Sequence, residues 1–221
     1  MKSMKTVART LSGAVVGVAL SLVMDSVGAA VLYEQLPDQV NGSAANINTP
    51  QQVADNFTLS AASRLTSITW WGVNFVNGID VDDFLVRIYS DVSGPGIVLY
   101  SFNAGAVSRG PTSLQLGGIF DEYKYEFALP SAVDLAADTY HLFVQNLNVD
   151  NDWFWETGAP GNDSSSFRIA EINTWNTQSG DLAFRLNGTQ NSIPEPGSLA
   201  LIGLALAGLG LMRARASSRR S

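Results

Sequence analysis

Between Ala30 and Ser192 the chain shows little helical period. Short runs of alternating apolar and polar residues, rich in β-branched and aromatic side chains, take its place. Clusters of Gly, Asn, Asp, Ser and Pro separate these runs, among them Asn77-Gly78 and Ser93-Gly94-Pro95-Gly96. This punctuation predicts an all-β domain. Strands are expected near Val53 to Leu59, Leu65 to Phe75, Phe84 to Ser90, Ile97 to Phe102, Tyr123 to Leu129, Tyr140 to Asn146, Trp153 to Glu156, Phe167 to Ile172 and Asp181 to Leu186. Together they call for a single antiparallel β-sandwich of jelly-roll-like type. Alternation also assigns faces. Tyr125, Phe127 and Leu129 should oppose Lys124 and Glu126, and Tyr140, Leu142 and Val144 should oppose His141, Phe143 and Gln145. The run Ile68 to Val73 is apolar on both faces and reads as a central strand.

The two ends follow other rules. Lys2, Lys5 and Arg9 precede an apolar run from Leu11 to Met24, and the small residues Val27-Gly28-Ala29-Ala30 come next. Residues 1–29 therefore read as a signal peptide, cut by signal peptidase after Ala29 or Ala30. At the other end Leu199 to Met212 is wholly apolar, and Arg213, Arg215, Arg219 and Arg220 follow it. As a helix this block spans roughly 21 Å, against a hydrocarbon core about 30 Å thick. It holds a chain in a membrane only if flanking residues contribute or the bilayer thins. The arginines act as a stop-transfer signal and keep the C-terminus cytoplasmic with the domain outside.

Residues 30–192 are enough for one domain with its own core. The whole chain carries a formal charge of −7, and this central part −12. Nucleic acid is excluded as a partner for so acidic a surface. The chain has no cysteine, so the domain stands without disulfides. Thiol nucleophiles and thiolate metal sites are excluded with them.

Pro194-Glu195-Pro196, the Gly197-Ser198 after it, the apolar segment 198–212 and the basic end 213–221 closely resemble the PEP-CTERM sorting signal of Gram-negative bacteria. The arginines here are more widely spaced than is common in that family. The resemblance implies that residues 193–221 are read by an exosortase, an integral-membrane transpeptidase-like enzyme, and removed near the motif. A glycolipid-anchor signal fits less well, because its hydrophobic tail ends without a basic cap. The flanking prolines disfavour helix and hold Glu195 in extended chain. The order Val53 to Leu59, Ile68 to Gly72, Trp153 to Trp155 and Asp181 to Leu186 is similar to a domain recurrent in PEP-CTERM proteins, one without an assigned activity.

Chemistry in the middle is sparse. Trp70 and Trp71 must face opposite sides of their strand, and Trp153 and Trp155 share a face opposed by Phe154. Aromatics that leave the core could stack on sugar rings. Trp175, Trp153 and Trp155 are the carbohydrate-binding candidates, against the alternative that they pack beneath loops. Asp80, Asp82 and Asp83 cluster in one loop, and Asp150, Asn151 and Asp152 in another. The first is the candidate for a structural calcium ion, against the commoner use of such residues as solvated turns. The single histidine, His141, lies mid-strand outside any catalytic motif, so no catalytic residue is assigned. Acid pairs such as Glu126 and Glu156 would have to meet in space to act on a glycosidic bond. The asparagine sequons, such as Asn56-Phe57-Thr58, read as turns and strand ends.

The expectation is a non-enzymatic exported protein, held transiently in the inner membrane and then delivered to the cell envelope or outside. The resemblance implies an exopolysaccharide or biofilm-matrix setting. The sandwich itself would bind carbohydrate weakly or serve structurally; the alternative is a secreted glycoside-active enzyme on the same scaffold.

Overall fold

The computed structural model describes residues 29–75, 81–150 and 152–191. Every helix or strand among them is a strand: β1 (Ala30–Ala44), β2 (Gln51–Thr58), β3 (Ser63–Asn74), β4 (Phe84–Asp91), β5 (Pro95–Gly105), β6 (Ser108–Leu116), β7 (Phe120–Leu135), β8 (Thr139–Asn146), β9 (Trp153–Ala159), β10 (Ser164–Ile169), β11 (Asn176–Ser179), β12 (Asp181–Leu182) and β13 (Phe184–Gln190). They form two antiparallel sheets. One has the order β12-β9-β1-β13-β3-β7-β6 and the other β11-β10-β2-β8-β4-β5. The chain crosses repeatedly between them, so the core is shared by residues distant in sequence.

The nine expected strands are present, with corrected limits. The run expected to reach Ile172 ends at Ile169. The last expected strand divides at Ala183, because β12 pairs with β9 while β13 pairs with β1 and β3. At that step the Trp71 amide donates to the Ala183 carbonyl at 3.3 Å, and the Ala183 amide to Glu156 at 2.8 Å. Three strands were not expected: β1, β6 and β11. Each carries turn-type or polar residues that mask the alternation, such as Pro37, Asp38 and Asn41 in β1.

Faces follow the alternation. Tyr125 and Leu129 are buried while Glu126 is exposed, and Tyr140, Leu142 and Val144 enter the main core while Phe143 joins a small cluster on the outer face. β3 is central and buried on both sides from Ile68 to Val73. Between the sheets Trp70 stacks on Tyr125 with centroids 5.8 Å apart, and Phe84 meets both edge-on at 5.1 and 5.0 Å. Trp153 closes this cluster against Phe84 at 5.0 Å.

Sheet geometry also places the ends. Ala30 pairs with Gly188, and Gln190 pairs with Ser63, so the first and last strands meet at one pole. The Asn191 amide donates to Ala62 there. Residues 1–28 and 192–221, which continue from this pole, lie outside the described residues.

Gly72 is a tight point of the core. A Cβ there would stand 2.5 Å from Trp153 Nε1 and 2.6 Å from the Phe154 carbonyl oxygen, and the latter is backbone that cannot swing away. Gly72→Ala should cost about 1–3 kcal/mol or more through overpacking. Gly110→Ala, where the space is open, should stay within about 0.5 kcal/mol. Urea unfolding of the two variants beside the parent checks both.

Candidate functional site

The tryptophans separate into distinct roles. Trp153 and Trp155 are wholly buried between the sheets, and Trp155 Nε1 donates to the Ala183 carbonyl at 2.8 Å. Neither can stack on a sugar, so their assignment as binding residues is corrected: their shared face is the inner one. Trp70 is likewise core, and Trp71 faces out beneath the Arg185 guanidinium, 5.7 Å from its ring. Trp175 is half-buried on the outer face of the second sheet. Arg168 lies 4.4 Å over its ring and Tyr89 meets it edge-on at 5.8 Å. At least one flank of the Trp175 ring is therefore taken by a cation and an aromatic edge.

Asp82 and Asp83 do not gather as a calcium cradle. Asp82 is buried, with Oδ2 accepting from Arg109 at 3.0 Å and Oδ1 from Asn146 Nδ2 at 2.9 Å. An ion-paired carboxylate with both oxygens engaged has none to give a cation, and Asp83 beside it is exposed. Asp80 lies outside the described residues. Among the described residues no group of three or more carboxylate, imidazole or thiol ligands converges. Asp82 instead welds the start of β4 to β6 and to the end of β8.

His141 is 5 % exposed and its Nε2 lies 2.8 Å from Asp91 Oδ1. Its Nδ1 has no hydrogen-bond partner, so no serine is poised on it. Burial pulls its pKa down against the opposing pull of Asp91. Glu126 and Glu156 do not form a pair, since Glu126 is exposed and bound to Lys124 at 2.7 Å.

Glu156 meets a different acid. β7 and β9 flank β3, with Val73 opposite Glu122 on one side and Phe154 on the other. Alternation then brings Glu122 and Glu156 to the same outer face. Both are sealed from solvent beneath β1, where register with β9 breaks between Pro37 and Gly42 and Gln39 adopts φ 56°. Gln39 Nε2 donates to Glu122 Oε2 at 3.1 Å, while neither oxygen of Glu156 has a partner within hydrogen-bond geometry. Burial first, then the neighbouring Glu122 and Asp38, push the Glu156 carboxyl up to about 9. It is a neutral acid at pH 7. Buried so fully, the pair has no opening to a substrate.

Further along this face, toward the pole opposite the chain ends, three rings converge. Phe75 meets Phe120 and Phe154 edge-on, with centroids 4.0 and 4.2 Å apart. A cleft of about 300 Å³ opens here, lined by Asn46, Thr49, Phe75, Asp152 and Phe154. Phe75 is 38 % exposed. Asn46 positions Thr49, accepting from its amide at 2.9 Å and its hydroxyl at 3.2 Å. A larger groove of about 510 Å³ runs beside β9 and β12. Its carboxylates serve the fold: Asp181 accepts from the amides of Asn162 and Asp163, and Asp38 from Val40 and the Thr157 hydroxyl. Sequence reasoning missed Phe75 as an exposed ring because it ends a core strand. The signal available was the Asn77-Gly78 turn just after it.

Residues 192–215 match the model of the PEP-CTERM protein-sorting motif. The chain carries an exosortase sorting signal. The PEP-CTERM motif makes it an exported, membrane-transiting protein processed by an exosortase, with a β-sandwich domain ahead of the signal. No curated protein matches the chain. The match includes Pro194, Glu195, Pro196, Arg213 and Arg215, whereas Arg219 and Arg220 lie beyond it. All of these, with the apolar segment 198–212, fall outside the described residues. The matched region begins two residues after β13 ends, so the sorting signal leaves from the pole opposite the aromatic cleft.

The buried acid pair gives this domain a characteristic pH response. Folded Glu156 holds its proton up to about pH 9, whereas the unfolded chain releases it near the ordinary carboxyl value of 4.5. The folded state binds the extra proton between those limits, so stability falls as pH rises through that window. Glu156→Gln removes this contribution and should flatten the decline. Asp55, raised by burial and held by the Leu182 amide at 2.6 Å, keeps a residual slope of the same sign. Urea midpoints of parent and variant at pH 5, 7 and 9 test it, and parallel curves would refute the assignment.

Proposed function

We propose that residues 30–192 form a non-enzymatic module that contacts extracellular polysaccharide weakly through the cleft around Phe75. Its setting on this reading is the cell envelope or the surrounding matrix. The observation that carries this reading is an accessible aromatic ring beside hydroxyl, amide and carboxylate groups at the pole farthest from the sorting tail. A ring face stacks on the apolar side of a sugar while the polar groups meet its hydroxyls. The position favours display, since the tail approaches the membrane from the other end. The exopolysaccharide setting itself follows from the PEP-CTERM resemblance.

The non-enzymatic reading is supported by the state of each group that could do chemistry. Glu122 and Glu156 are sealed, Asp82 is held by Arg109, and His141 faces an aspartate without a nucleophile on its other nitrogen. Signal peptidase is proposed to release residues 1–29 before the fold closes. A cut after Ala29 leaves β1 whole, whereas one after Ala30 removes its first paired residue.

Two measurements test these proposals. Intact mass of the chain, from cells with and without a functional exosortase, should show an N-terminus at Ala30 in both. A C-terminus near Pro194 to Gly197 should appear only when the enzyme is present, and an unprocessed tail in both would leave a membrane-anchored domain. Co-sedimentation of the purified chain with extracellular polysaccharide should be lost in Phe75→Ala and retained in Trp175→Ala. Retention in Phe75→Ala would move the contact elsewhere, and no sedimentation of the parent would leave a structural role.

A further inference from the structure

The cleft around Phe75 carries a single charged side chain in its lining, the half-buried Asp152. Among the described residues its carboxylate takes no hydrogen bond and no ion pair. Its place is fixed all the same, because the Asp152 carbonyl accepts from the Phe75 amide at 3.1 Å and so ties the acid to the exposed ring. Phe154 lines the same cleft, with its centroid 4.2 Å from that of Phe75. A carboxylate beside two aromatic rings suits an ammonium group, which the acid attracts by charge and the rings by their electron-rich faces.

The uncharged lining points the same way. Thr49 commits its hydroxyl proton to Asn46 Oδ1 at 3.2 Å, which leaves its lone pairs to the cleft, and Asn46 Nδ2 donates to the Trp153 carbonyl at 3.2 Å. The cleft therefore meets a ligand chiefly with acceptors. A ligand carboxylate would need a cation instead. Each of the six basic side chains between residues 30 and 192 already faces a carboxylate, as Arg109 faces Asp82 at 3.0 Å, and none lines the cleft. The domain charge of −12 adds a long-range preference of the same sign.

We infer that the cleft selects sugars carrying a free amine, the hexosamine units of an extracellular polysaccharide, and that Asp152 sets this specificity. The sugar ring stacks on Phe75, its ammonium meets the Asp152 carboxylate, and a neighbouring hydroxyl donates to Thr49. N-acetylation removes the charge and brings a carbonyl that the acceptor lining does not match. A uronate is repelled. The inference rests on the reading that the Phe75 cleft binds polysaccharide, and adds which kind.

The test is titration of the purified full chain in detergent with short oligomers of glucosamine, N-acetylglucosamine, glucose and galacturonate, at a mildly acidic pH that keeps the amines protonated. The glucosamine oligomer should bind about fivefold tighter or more than the acetylated and glucose oligomers, as a half-exposed ion pair beside an aromatic ring allows. Galacturonate should not compete. Asp152→Asn should erase the preference and leave binding of the glucose oligomer in place. Asp138→Asn removes the same charge beside the tail, where the Asp138 carbonyl meets the Leu59 amide, and should keep the preference. Phe75→Ala should abolish binding of every oligomer. Thermal midpoints near that of the parent show that the variants fold. Equal binding of free and acetylated amines, or a preference that survives Asp152→Asn, would overturn the inference and leave the cleft as a neutral-sugar site. Oligolysine bound as tightly as the glucosamine oligomer would overturn the sugar assignment. No binding of any oligomer, or binding unmoved by Phe75→Ala, would remove the cleft reading and this inference with it.

Discussion

The pairing of β1 with β13 is the constraint on which the rest of the structure rests. It joins the first and last strands of the domain in the interior of a seven-stranded sheet, between β9 and β3. A chain with this topology cannot complete its larger sheet until its last strand has emerged. The non-local contact carries a loop-closure cost that the core must repay. With no disulfide to share that task, the aromatic cluster of Trp70, Tyr125, Phe84 and Trp153 and its interlock with Gly72 take it on.

The same absence of covalent staples explains how charge is handled inside. Buried ionisable groups are either partnered or kept neutral. Asp82 sits against Arg109, and Asp55 against the Leu182 amide. Glu156 has no cationic partner and is held as the neutral acid. These arrangements tie strands that the backbone ladder alone would leave free to slide. Asp82 binds β4 to β6 and β8, and Asp181 fixes the loop between β9 and β10. An acidic composition that suggested cation binding is used mainly to anchor loops to strands.

Much of the sheet arrangement was legible because one-sided burial imposes alternation. β7 and β8 show it directly, and β3, apolar on both faces, announced its central place. β1 was not legible, since Pro37, Asp38 and Asn41 sit inside the strand at a break in register and imitate a loop. β6 and β11 are edge strands with little buried side chain, so neither carries a pattern. For the tryptophans, alternation showed that Trp153 and Trp155 share a face but could not say which face looks inward. Asp82 depended on Arg109, and Glu156 on Glu122, partners brought together by the fold rather than by sequence spacing. The sorting signal was legible in full because its information is linear: a short motif, an apolar segment and a basic end read in order, with no fold required.

Linear signal and folded domain meet over a short distance. Gln190 ends β13 and Pro194 begins the motif, so four backbone steps separate them, at most about 14 Å. An enzyme that reads Pro194 to Pro196 therefore works against the pole where the 59–62 and 136–138 turns lie, tied together by the Leu59 amide donating to Asp138 at 2.9 Å. Those turns are built from small residues, Ser60, Ala61, Ala62, Ala136 and Ala137, which keep the pole low around the departing chain. The aromatic cleft stands at the far end of β3, a strand of 12 residues. That is roughly 36 Å away at the usual rise of a strand. At that separation the cleft and the start of the sorting signal are at opposite ends of the larger sheet. The sorting signal and the cleft thus lie at opposite poles of one sandwich, and removal of the tail takes away no residue that lines the cleft.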